Sequence, residues 1–346
     1  MYYNWSNFAQ SAMNDLAMIN HMPGGKTEGE IVLIVADTNT DWDLSKACLD
    51  AALKLTPNAS LVVIRRMAHN EAAVMTPAIH NAIIHADVIA ALCETRLLQS
   101  ESIAAACKNG ARVISTVPVG IEPYCIKAVG EVDFDKMLFN SELMAKLWEK
   151  TSVCRVTSDK GTDFSFNFAV GEDRRPIIVG DGAASAPGEI DFFPGIQINV
   201  CPVEETINGK VVVDGSVSPG GLVSSDIYLT LEKGKIVNIE GGKDAADWKT
   251  YLESFGDVNK TFIYDFAHFS VGMNPQATIS GNMIEDERVV GAITLGFGNK
   301  SGDFGGPQRR SLFHVDAVIA SPTIYLDGVV QNESHKLNKE LGFIEM

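Results

Sequence analysis

The stretch Ile31-Val32-Leu33-Ile34-Val35 is short, continuously apolar and rich in β-branched residues, and it decides the fold class of the first half of the chain. Residues Leu44–Leu55 then carry apolar side chains at helical spacing, and Ser60–Ile64 returns to the strand-like pattern. The same alternation repeats in Met75–Ile84 (helical), Asp87–Leu92 (strand), Ser102–Lys108 (helical) and Arg112–Thr116 (strand). Four short apolar strands separated by helices predict a parallel, doubly wound sheet, because parallel neighbours need a crossover connection.

The turn after the first of these strands lacks the glycines of a dinucleotide-binding loop. It reads Ala36-Asp37-Thr38-Asn39-Thr40-Asp41, which is acidic and has no glycine. The glycines of a G-x-G-x-x-G loop allow the backbone to approach a pyrophosphate. We therefore expect no dinucleotide site, although the predicted fold resembles those that carry one.

The pattern of the chain changes after a helix that we predict at Phe134–Lys150. Beyond it, short alternating strands are separated by glycine-containing turns, and Glu232-Lys233-Gly234 is typical of a hairpin. We predict an α/β protein with a Rossmann-like, doubly wound parallel-sheet domain at residues 1–150 and a β-rich α+β metal-binding domain at residues 151–346. Residues 331–346 are mostly polar, which predicts a loosely held helix or tail.

The charge balance of the 346-residue chain is acidic, with 28 Lys and Arg against 44 Asp and Glu and a net charge of −16. Nucleic acids and anionic membranes bind basic surfaces, so we expect neither as a partner.

The N-terminus lacks a basic and an apolar segment, and no apolar run approaches a membrane span, which predicts a cytoplasmic protein. Six scattered cysteines without a C-x-x-C pair predict reduced thiols.

The stretch Ser311–Ala320 is small or apolar apart from His314 and Asp316, and it predicts a buried strand. Residues two apart on a strand face the same side, so this imidazole and this carboxylate can converge on one ion. A carboxylate among apolar neighbours is costly unless it is paired or bound to a metal. The alternative is a His–Asp hydrogen bond inside a core, and the two-residue pattern leaves both interpretations open.

A second histidine extends this pattern. Of the seven histidines, only His268 and His314 lie beside apolar strands of the second half, and His268 precedes the glycine-containing segment Phe269–Pro275. That position favours a side chain that faces a cleft, and a structural histidine is the alternative. With Asp316, the two histidines form a set that suits non-haem Fe(II) with positions left for substrate and O₂. Zinc or manganese for hydrolysis would suit the same three residues.

Six segments of the second half carry a resemblance to a known family. In chain order they are Gly161–Phe164, Ile198–Glu205, Leu231–Ile236, Ala267–Pro275, Phe304–Gly306 and Phe313–Asp316. In these segments the chain resembles the 2,5-dihydroxypyridine 5,6-dioxygenase family, a relative of the thermophilic leucyl aminopeptidases of the aminopeptidase T type. Such segments in a fixed order are a more specific signal than any single motif.

The resemblance implies a set of metal ligands. The aminopeptidase branch carries a glutamate at the position of His268 and a histidine at about Thr294, and it uses two metals. The dioxygenase branch carries a histidine at the position of His268, shares the His-x-Asp pair and uses one iron. The chain follows the dioxygenase branch at both positions. By resemblance, His268, His314 and Asp316 would hold a single Fe(II).

The chain departs from the family in the residues that would handle protons. Gln99 and Phe192 fall where the dioxygenase has two histidines with acid–base roles, and neither exchanges a proton near neutral pH. This departure predicts a substrate other than 2,5-dihydroxypyridine, or a base supplied from elsewhere in the catalytic site. Glu204 and Glu205 are the candidates for that base, and a pair of solvated loop residues is the alternative.

Four further residues are candidates for substrate binding. Phe192 and Phe193 offer rings that stack on a flat substrate, or they belong to a core. Arg309 and Arg310 precede His314 by a few residues and are placed to clamp a substrate carboxylate, or they lie on the surface.

The function that follows is a mononuclear non-haem Fe(II) dioxygenase that cleaves a small hydroxylated aromatic or N-heteroaromatic ring with O₂. One alternative is a metal-dependent hydrolase, either an aminopeptidase or a cyclic-amide hydrolase. Another is a ligand-binding relative without catalysis. The resemblance also implies a homo-oligomer, a dimer or larger.

Overall fold

The structure is a computed structural model. It describes residues 3–13, 29–67, 73–95, 97–116, 120–300, 302–307, 311 and 313–346. Gln99 and Gly130 are described by their backbone only.

The secondary structure of the described residues begins with a regular alternation of helices and strands. In chain order the first elements are α1 (Ser6–Met13), β1 (Val32–Asp37), α2 (Trp42–Leu53), β2 (Ala59–Ile64), α3 (Pro77–Ile84), β3 (Val88–Ala91), α4 (Glu101–Lys108), β4 (Arg112–Ser115), α5 (Glu122–Gly130) and α6 (Phe134–Lys150). The strands that follow are β5 (Val153–Thr157), β6 (Asp163–Asn167), β7 (Ala169–Val170), β8 (Asp173–Arg174), β9 (Ile177–Gly180), β10 (Ile190–Phe192) and β11 (Gln197–Val200).

The remainder of the chain is mostly β-structure. Its elements are β12 (Asn208–Val213), β13 (Ser216–Val217), β14 (Gly221–Leu222), β15 (Ile227–Glu232), β16 (Lys235–Gly241), α7 (Lys243–Glu253), α8 (Val258–Thr261), β17 (Phe266–Gly272), α9 (Met283–Asp286), β18 (Ile293–Gly298), β19 (His314–Ile319), β20 (Thr323–Leu326), β21 (Val329–Glu333) and β22 (Lys336–Leu337). Short 3₁₀ turns lie at Leu97–Gln99, Glu204–Thr206, Gly302–Phe304 and Lys339–Leu341.

The chain forms two compact units. The first contains residues 1–132 and 180–195, and the second contains residues 133–179 and 196–346. This division does not follow the sequence-based boundary at residue 150. Helix α6 belongs to the second unit, and the chain returns to the first unit for β10.

The first unit contains a five-stranded parallel sheet in the order β10-β4-β3-β1-β2. The predicted α/β class with a parallel sheet is therefore confirmed. Strand β1 lies between β2 and β3, with Val32 opposite both Ala59 and Val88, and all six of its residues are buried. Burial on both faces explains why the strand reads as an unbroken apolar run.

The second unit contains two large sheets, which agrees with the predicted β-rich half. An eight-stranded sheet has the order β16-β15-β12-β6-β5-β20-β21-β22, and the predicted hairpin joins β15 to β16. A seven-stranded sheet has the order β14-β13-β19-β18-β17-β11-β9. Next to His268, Phe269 is fully buried and packs against Phe166 and Trp148, with ring centroids 4.9 and 5.5 Å apart. This aromatic core fixes β17 in place.

The prediction of a loosely held C-terminal tail is wrong. Strands β21 and β22 extend the eight-stranded sheet, and the side chains of Gln331 and Asn332 are fully buried. The indole Nε1 of Trp148 donates to Gln331 Oε1 at 2.5 Å. A polar composition does not exclude burial here, because these residues satisfy their hydrogen bonds inside the protein, which removes most of the penalty of burying them.

No helix among the described residues is long and apolar enough to cross a membrane.

Candidate metal centre

Three neighbouring strands of the seven-stranded sheet bring the predicted ligands together. In the register of β17, β18 and β19, Gly296 lies opposite both His268 and Asp316, and Gly298 lies opposite His314. Residues directly opposite each other in an antiparallel sheet point to the same face, and so do residues two apart on one strand. The three side chains therefore share one face of the sheet, with a glycine between His268 and Asp316.

The predicted ligands converge on one point. His268 Nε2 lies 3.2 Å from His314 Nε2, and each of these nitrogens lies 3.2 Å from Asp316 Oδ1. Within the described part of the chain, these are the three His, Cys, Asp or Glu residues grouped closely enough to hold a metal ion. The side chains of His268 and Asp316 are 11% and 13% exposed, whereas that of His314 is 37% exposed. Solvent therefore reaches the cluster from the side of His314.

The hydrogen bonds of His268 determine its tautomer. The amide Nδ2 of Asn199 donates to the Gln197 carbonyl at 3.3 Å, so Asn199 Oδ1 is the atom that accepts the Ser270 hydroxyl proton at 2.6 Å. Ser270 Oγ has then used its single hydrogen, and it accepts from His268 Nδ1 at 2.8 Å. The proton of the neutral imidazole is on Nδ1, and Nε2 presents its lone pair to the cluster.

His314 is held in the same tautomer by the backbone. Its Nδ1 lies 2.8 Å from the carbonyl oxygen of Asn299, which accepts hydrogen bonds and cannot donate them. Nδ1 therefore carries the proton, and Nε2 faces the cluster.

The donor set fits a divalent metal. Two imidazole lone pairs and one carboxylate oxygen face one another at 3.2 Å, and none of them has a hydrogen to give in these tautomers. Such an arrangement repels itself unless a cation or an extra proton lies between the atoms. Two nitrogens and one oxygen on one side of an ion match a facial site with further coordination positions left over.

The pKa values of the three groups follow from their mutual contacts. Burial lowers the pKa of His268 because it disfavours the charged ring. Burial also opposes a charge on His314, but the charge and hydrogen bond of Asp316 outweigh it and raise the pKa of His314. Burial alone would raise the pKa of Asp316, yet the two imidazoles hold it well below the usual range. The ionised form of Asp316 is therefore favoured, and His314 holds a proton more readily than His268 does.

Polar and aromatic neighbours surround the cluster. The backbone N–H of Asp316 donates to Ser218 Oγ at 2.9 Å, and that hydroxyl lies 3.5 Å from Asp316 Oδ2. The ring of Phe304 lies almost parallel to that of His268, with centroids 6.1 Å apart and an interplanar angle of 20°. The cluster thus has a hydroxyl beside its carboxylate and an aromatic ring beside one imidazole.

The two glutamates predicted as bases have different surroundings. Glu204 is buried, and its carboxylate contacts Lys300 Nζ at 2.7 Å and Arg175 Nη2 at 2.8 Å. Burial alone would raise the pKa of Glu204, but hydrogen bonds from these two cations hold it below its usual value. Glu205 is exposed. The alternative of a solvated loop residue is therefore wrong for Glu204 and agrees with the exposure of Glu205.

The remaining candidates lie outside the second unit or outside the described residues. Phe193 is buried in the first unit, where its ring packs edge-on against Phe8 at 5.0 Å, as its alternative as a core residue predicts. Phe192 ends β10 in the same unit and is 47% exposed. Gln99, also in the first unit, ends a 3₁₀ turn, and Arg309 and Arg310 lie outside the described residues.

Three residues of the centre were missed by the sequence analysis. Ser270 lies two residues after His268 on the same strand. Side chains at this spacing face the same side of a strand, so the sequence indicates that Ser270 lies beside His268. Asn199 reaches Ser270, and Gly296 reaches His268, only through the pairing of separate strands. Local sequence carries no direct signal for that register.

Most of the chain is similar to one family of known proteins. A family model described as 2,5-dihydroxypyridine 5,6-dioxygenase matches residues 24–337. The curated 2,5-dihydroxypyridine 5,6-dioxygenase of Pseudomonas putida is 28% identical over 183 residues, and the alignment spans about half of each protein (50% of both).

Two solved structures share the fold. The structure of 2,5-dihydroxypyridine dioxygenase from Pseudomonas putida KT2440 has a TM-score of 0.70 at 21% identity, covering 89% of this chain and 92% of that one. Wild-type AmpT from Thermus thermophilus has a TM-score of 0.61 at 15% identity, covering 96% of this chain and 98% of that one. At these identities the likeness concerns the fold.

Proposed function

The chain belongs to the 2,5-dihydroxypyridine 5,6-dioxygenase family, and on this premise we propose that it is a dioxygenase that cleaves a small hydroxylated N-heteroaromatic ring. One observation carries the proposal: two imidazole Nε2 atoms and one carboxylate oxygen lie 3.2 Å apart on one face of a sheet. This set is typical of mononuclear non-haem Fe(II) sites that activate O₂.

We propose Fe(II) as the metal, and zinc and manganese are the competing candidates for the same ligands. Fe(II) bound there would supply adjacent positions for a ring hydroxyl and O₂, and a route for electron density from ring to oxygen. His268, His314 and Asp316 would hold the ion. Ser270 and the Asn299 carbonyl would keep both imidazoles in the ligating tautomer.

The substrate is proposed to differ from 2,5-dihydroxypyridine in the groups that exchange protons. Gln99 and Phe192 stand where the family resemblance places two histidines, and neither side chain titrates near neutral pH. Glu204 is a poor candidate for a base because its carboxylate is already held by two cations. Glu205 remains the candidate base on the second unit. Phe192 for ring stacking, and Arg309 and Arg310 for a substrate carboxylate, remain proposals from the sequence.

The proposal is tested by anaerobic reconstitution with Fe(II), followed by oxygen uptake with a panel of hydroxypyridines and catechols. We expect uptake with at least one hydroxypyridine, one O₂ per ring, and loss of the ring absorbance. Tight zinc binding, no uptake with any ring, and oxygen-independent turnover of leucyl or cyclic-amide substrates would establish a hydrolase instead. Ring binding without turnover, by protein that holds no metal, would establish a non-catalytic relative.

Two further proposals concern the protein in the cell. Free thiols are typical of a reducing compartment, and we propose that the protein works in the cytoplasm; the cysteines on which this rests are Cys48, Cys93, Cys107, Cys154 and Cys201. Cell fractionation tests this. By resemblance to its family we propose a homo-oligomer, a dimer or larger, which sedimentation showing a monomer would contradict.

A further inference from the structure

We propose that Glu204 is a positioning residue for the metal centre and that it acts by fixing the loop between β18 and β19. This inference rests on the proposed function, because it assigns a role toward the ion that His268, His314 and Asp316 would hold. It differs from the sequence-based interpretation, in which Glu204 was a candidate base.

Glu204 joins two cations in the interior of the second unit. Its Oε1 lies 2.7 Å from Lys300 Nζ, and its Oε2 lies 2.8 Å from Arg175 Nη2. The side chains of Glu204, Lys300 and Arg175 are 6%, 4% and 2% exposed. Solvent therefore screens these charges little, and each depends on the others for its partner.

Lys300 connects Glu204 to His314, one of the two histidine ligands. Lys300 directly follows Asn299, whose carbonyl accepts the Nδ1 proton of His314 at 2.8 Å. The N–H of Asn299 also donates to the carbonyl of Phe313 at 2.6 Å. Fixing the ammonium of Lys300 therefore fixes the carbonyl that sets the tautomer and orientation of His314.

Arg175 connects Glu204 to a later part of the same loop, at Gly306. A Cβ on Gly306 would lie 1.7 Å from Arg175 Nη1, so the guanidinium occupies the space that any side chain at Gly306 would need. Gly305 packs in the same way on the ring of Pro176, with 3.1 Å from its would-be Cβ to Pro176 Cδ. The guanidinium bound by Glu204 thus supports the loop just beyond Phe304, whose ring lies beside His268.

One carboxylate therefore holds two cations, Lys300 within the loop and Arg175 packed against it at Gly306. The same loop touches both histidines, through Asn299 to His314 and through Phe304 to His268. A buried ion network is not by itself more stabilising than apolar packing of the same volume, so its value here is geometric. The network orients the two imidazoles before a metal arrives.

The test uses the full-length protein and Co(II), a divalent probe whose absorption reports coordination geometry. Glu204→Gln keeps the shape of the side chain and removes its charge. Asp173→Asn is the matched control, because Asp173 also pairs with Arg175 (2.9 Å) but is 51% exposed, so solvent screens its charge and Glu204 still pairs with the guanidinium. Lys300→Met and Lys300→Arg form a second pair, in which the arginine restores the cation.

We expect Glu204→Gln and Lys300→Met to bind Co(II) at least about tenfold more weakly and to change its absorption spectrum, as loss of a partner that orients a ligand does. Asp173→Asn and Lys300→Arg should bind within about twofold of the wild type on the same scale. In the metal-free protein, hydrogen exchange at the Asn299 amide should be faster in Glu204→Gln than in Asp173→Asn.

Each outcome separates this inference from the proposed function. If Glu204→Gln keeps the wild-type Co(II) affinity and spectrum and only unfolds at a lower temperature, its role is purely structural and the inference is overturned. If Glu204→Gln does not fold, the Lys300 pair decides by the same criteria. If the wild type binds no Co(II), the proposed function fails, and the exchange rate at Asn299 still shows whether Glu204 fixes the loop.

Discussion

Gly296 lies against the ring of His268: a Cβ on Gly296 would lie 2.3 Å from His268 Nε2. Real Cβ atoms do not approach other atoms this closely, so an alanine here must displace the imidazole. We predict that Gly296→Ala lowers metal affinity by at least about tenfold, in line with the loss of one oriented ligand. Isothermal titration with Co(II) measures this.

Gly242→Ala is the control for this change. Gly242 precedes α7, and its would-be Cβ meets the Ser225 hydroxyl at 2.8 Å, a group that donates to Asp244 rather than to one of the three ligands. Its metal affinity should equal that of the wild type. Unchanged affinity in Gly296→Ala would show that His268 is not a ligand.

Ser270→Ala removes the acceptor that holds the proton of His268 on Nδ1. Without it the ring is free to carry the proton on Nε2 and to rotate, so we predict a loss of about 10–100-fold in metal affinity. Ser141→Ala deletes another buried serine hydroxyl, one that donates to the Met137 carbonyl in α6, and should leave affinity unchanged. A Ser270→Ala protein that binds metal as tightly as Ser141→Ala would refute the tautomer assignment.

The parallel sheet was predictable from the sequence because its central strands are buried on both faces and read as apolar runs. Strand β10 was not. Ile190 and Phe192 are exposed and Asp191 is half-buried, and the partner strand β4 ends 75 residues earlier, with Ile190 opposite Val113. Pairing over such a distance leaves no periodic signal in either segment.

The site was predictable to the extent that it lies on single strands. His314 and Asp316 share a face because they are two residues apart, and Ser270 stands in the same relation to His268. That β17 and β19 flank a strand with a glycine at position 296 follows from register, which the sequence does not display. For Glu204 the sequence could not distinguish a solvated loop from a buried one, since the deciding partner Lys300 lies 96 residues away.

Asp316→Asn removes the negative charge that raises the pKa of His314. Burial then acts on His314 without this compensation, so we predict that its pKa falls in the metal-free variant. NMR titration of the histidine ring protons measures the shift. Asp327→Asn changes a carboxylate that accepts from the Ser152 and Val153 amides, and it should leave the His314 titration in place. An unchanged pKa in Asp316→Asn would mean that Asp316 does not carry the charge next to His314.

The thiols should react slowly because burial keeps them protonated. Burial raises the pKa of Cys48 and of Cys201 to about 12, and the neighbouring Glu204 adds to the rise at Cys201. The thiolate is the reactive form, so native protein should show very slow labelling by a maleimide at these positions. Cys107 is only half-buried and should react first. Cys107→Ser should remove the fastest phase, and a fast phase that survives would assign the accessible thiol elsewhere.

The pH dependence of the free energy of unfolding tests independently whether the charge of Glu204 stabilises the folded protein. Hydrogen bonds from Lys300 and Arg175 outweigh burial and hold its pKa below the usual value. A carboxyl whose pKa is lower in the folded protein contributes stability above its unfolded pKa of about 4.3, and that contribution is lost as the pH falls through the folded pKa.

We predict that Glu204→Gln lowers the free energy of unfolding by about 3 kcal/mol near pH 7, as breaking a buried ion pair does. The difference from the wild type should shrink as the pH falls below about 4, because the wild-type carboxyl then loses its charge as well. Urea unfolding at intervals between pH 3 and pH 7 measures it, with the exposed Glu232→Gln as a control that should follow the wild type throughout. A difference that stays constant across this range would show that the charge of Glu204 is not what holds Lys300 and Arg175 in place.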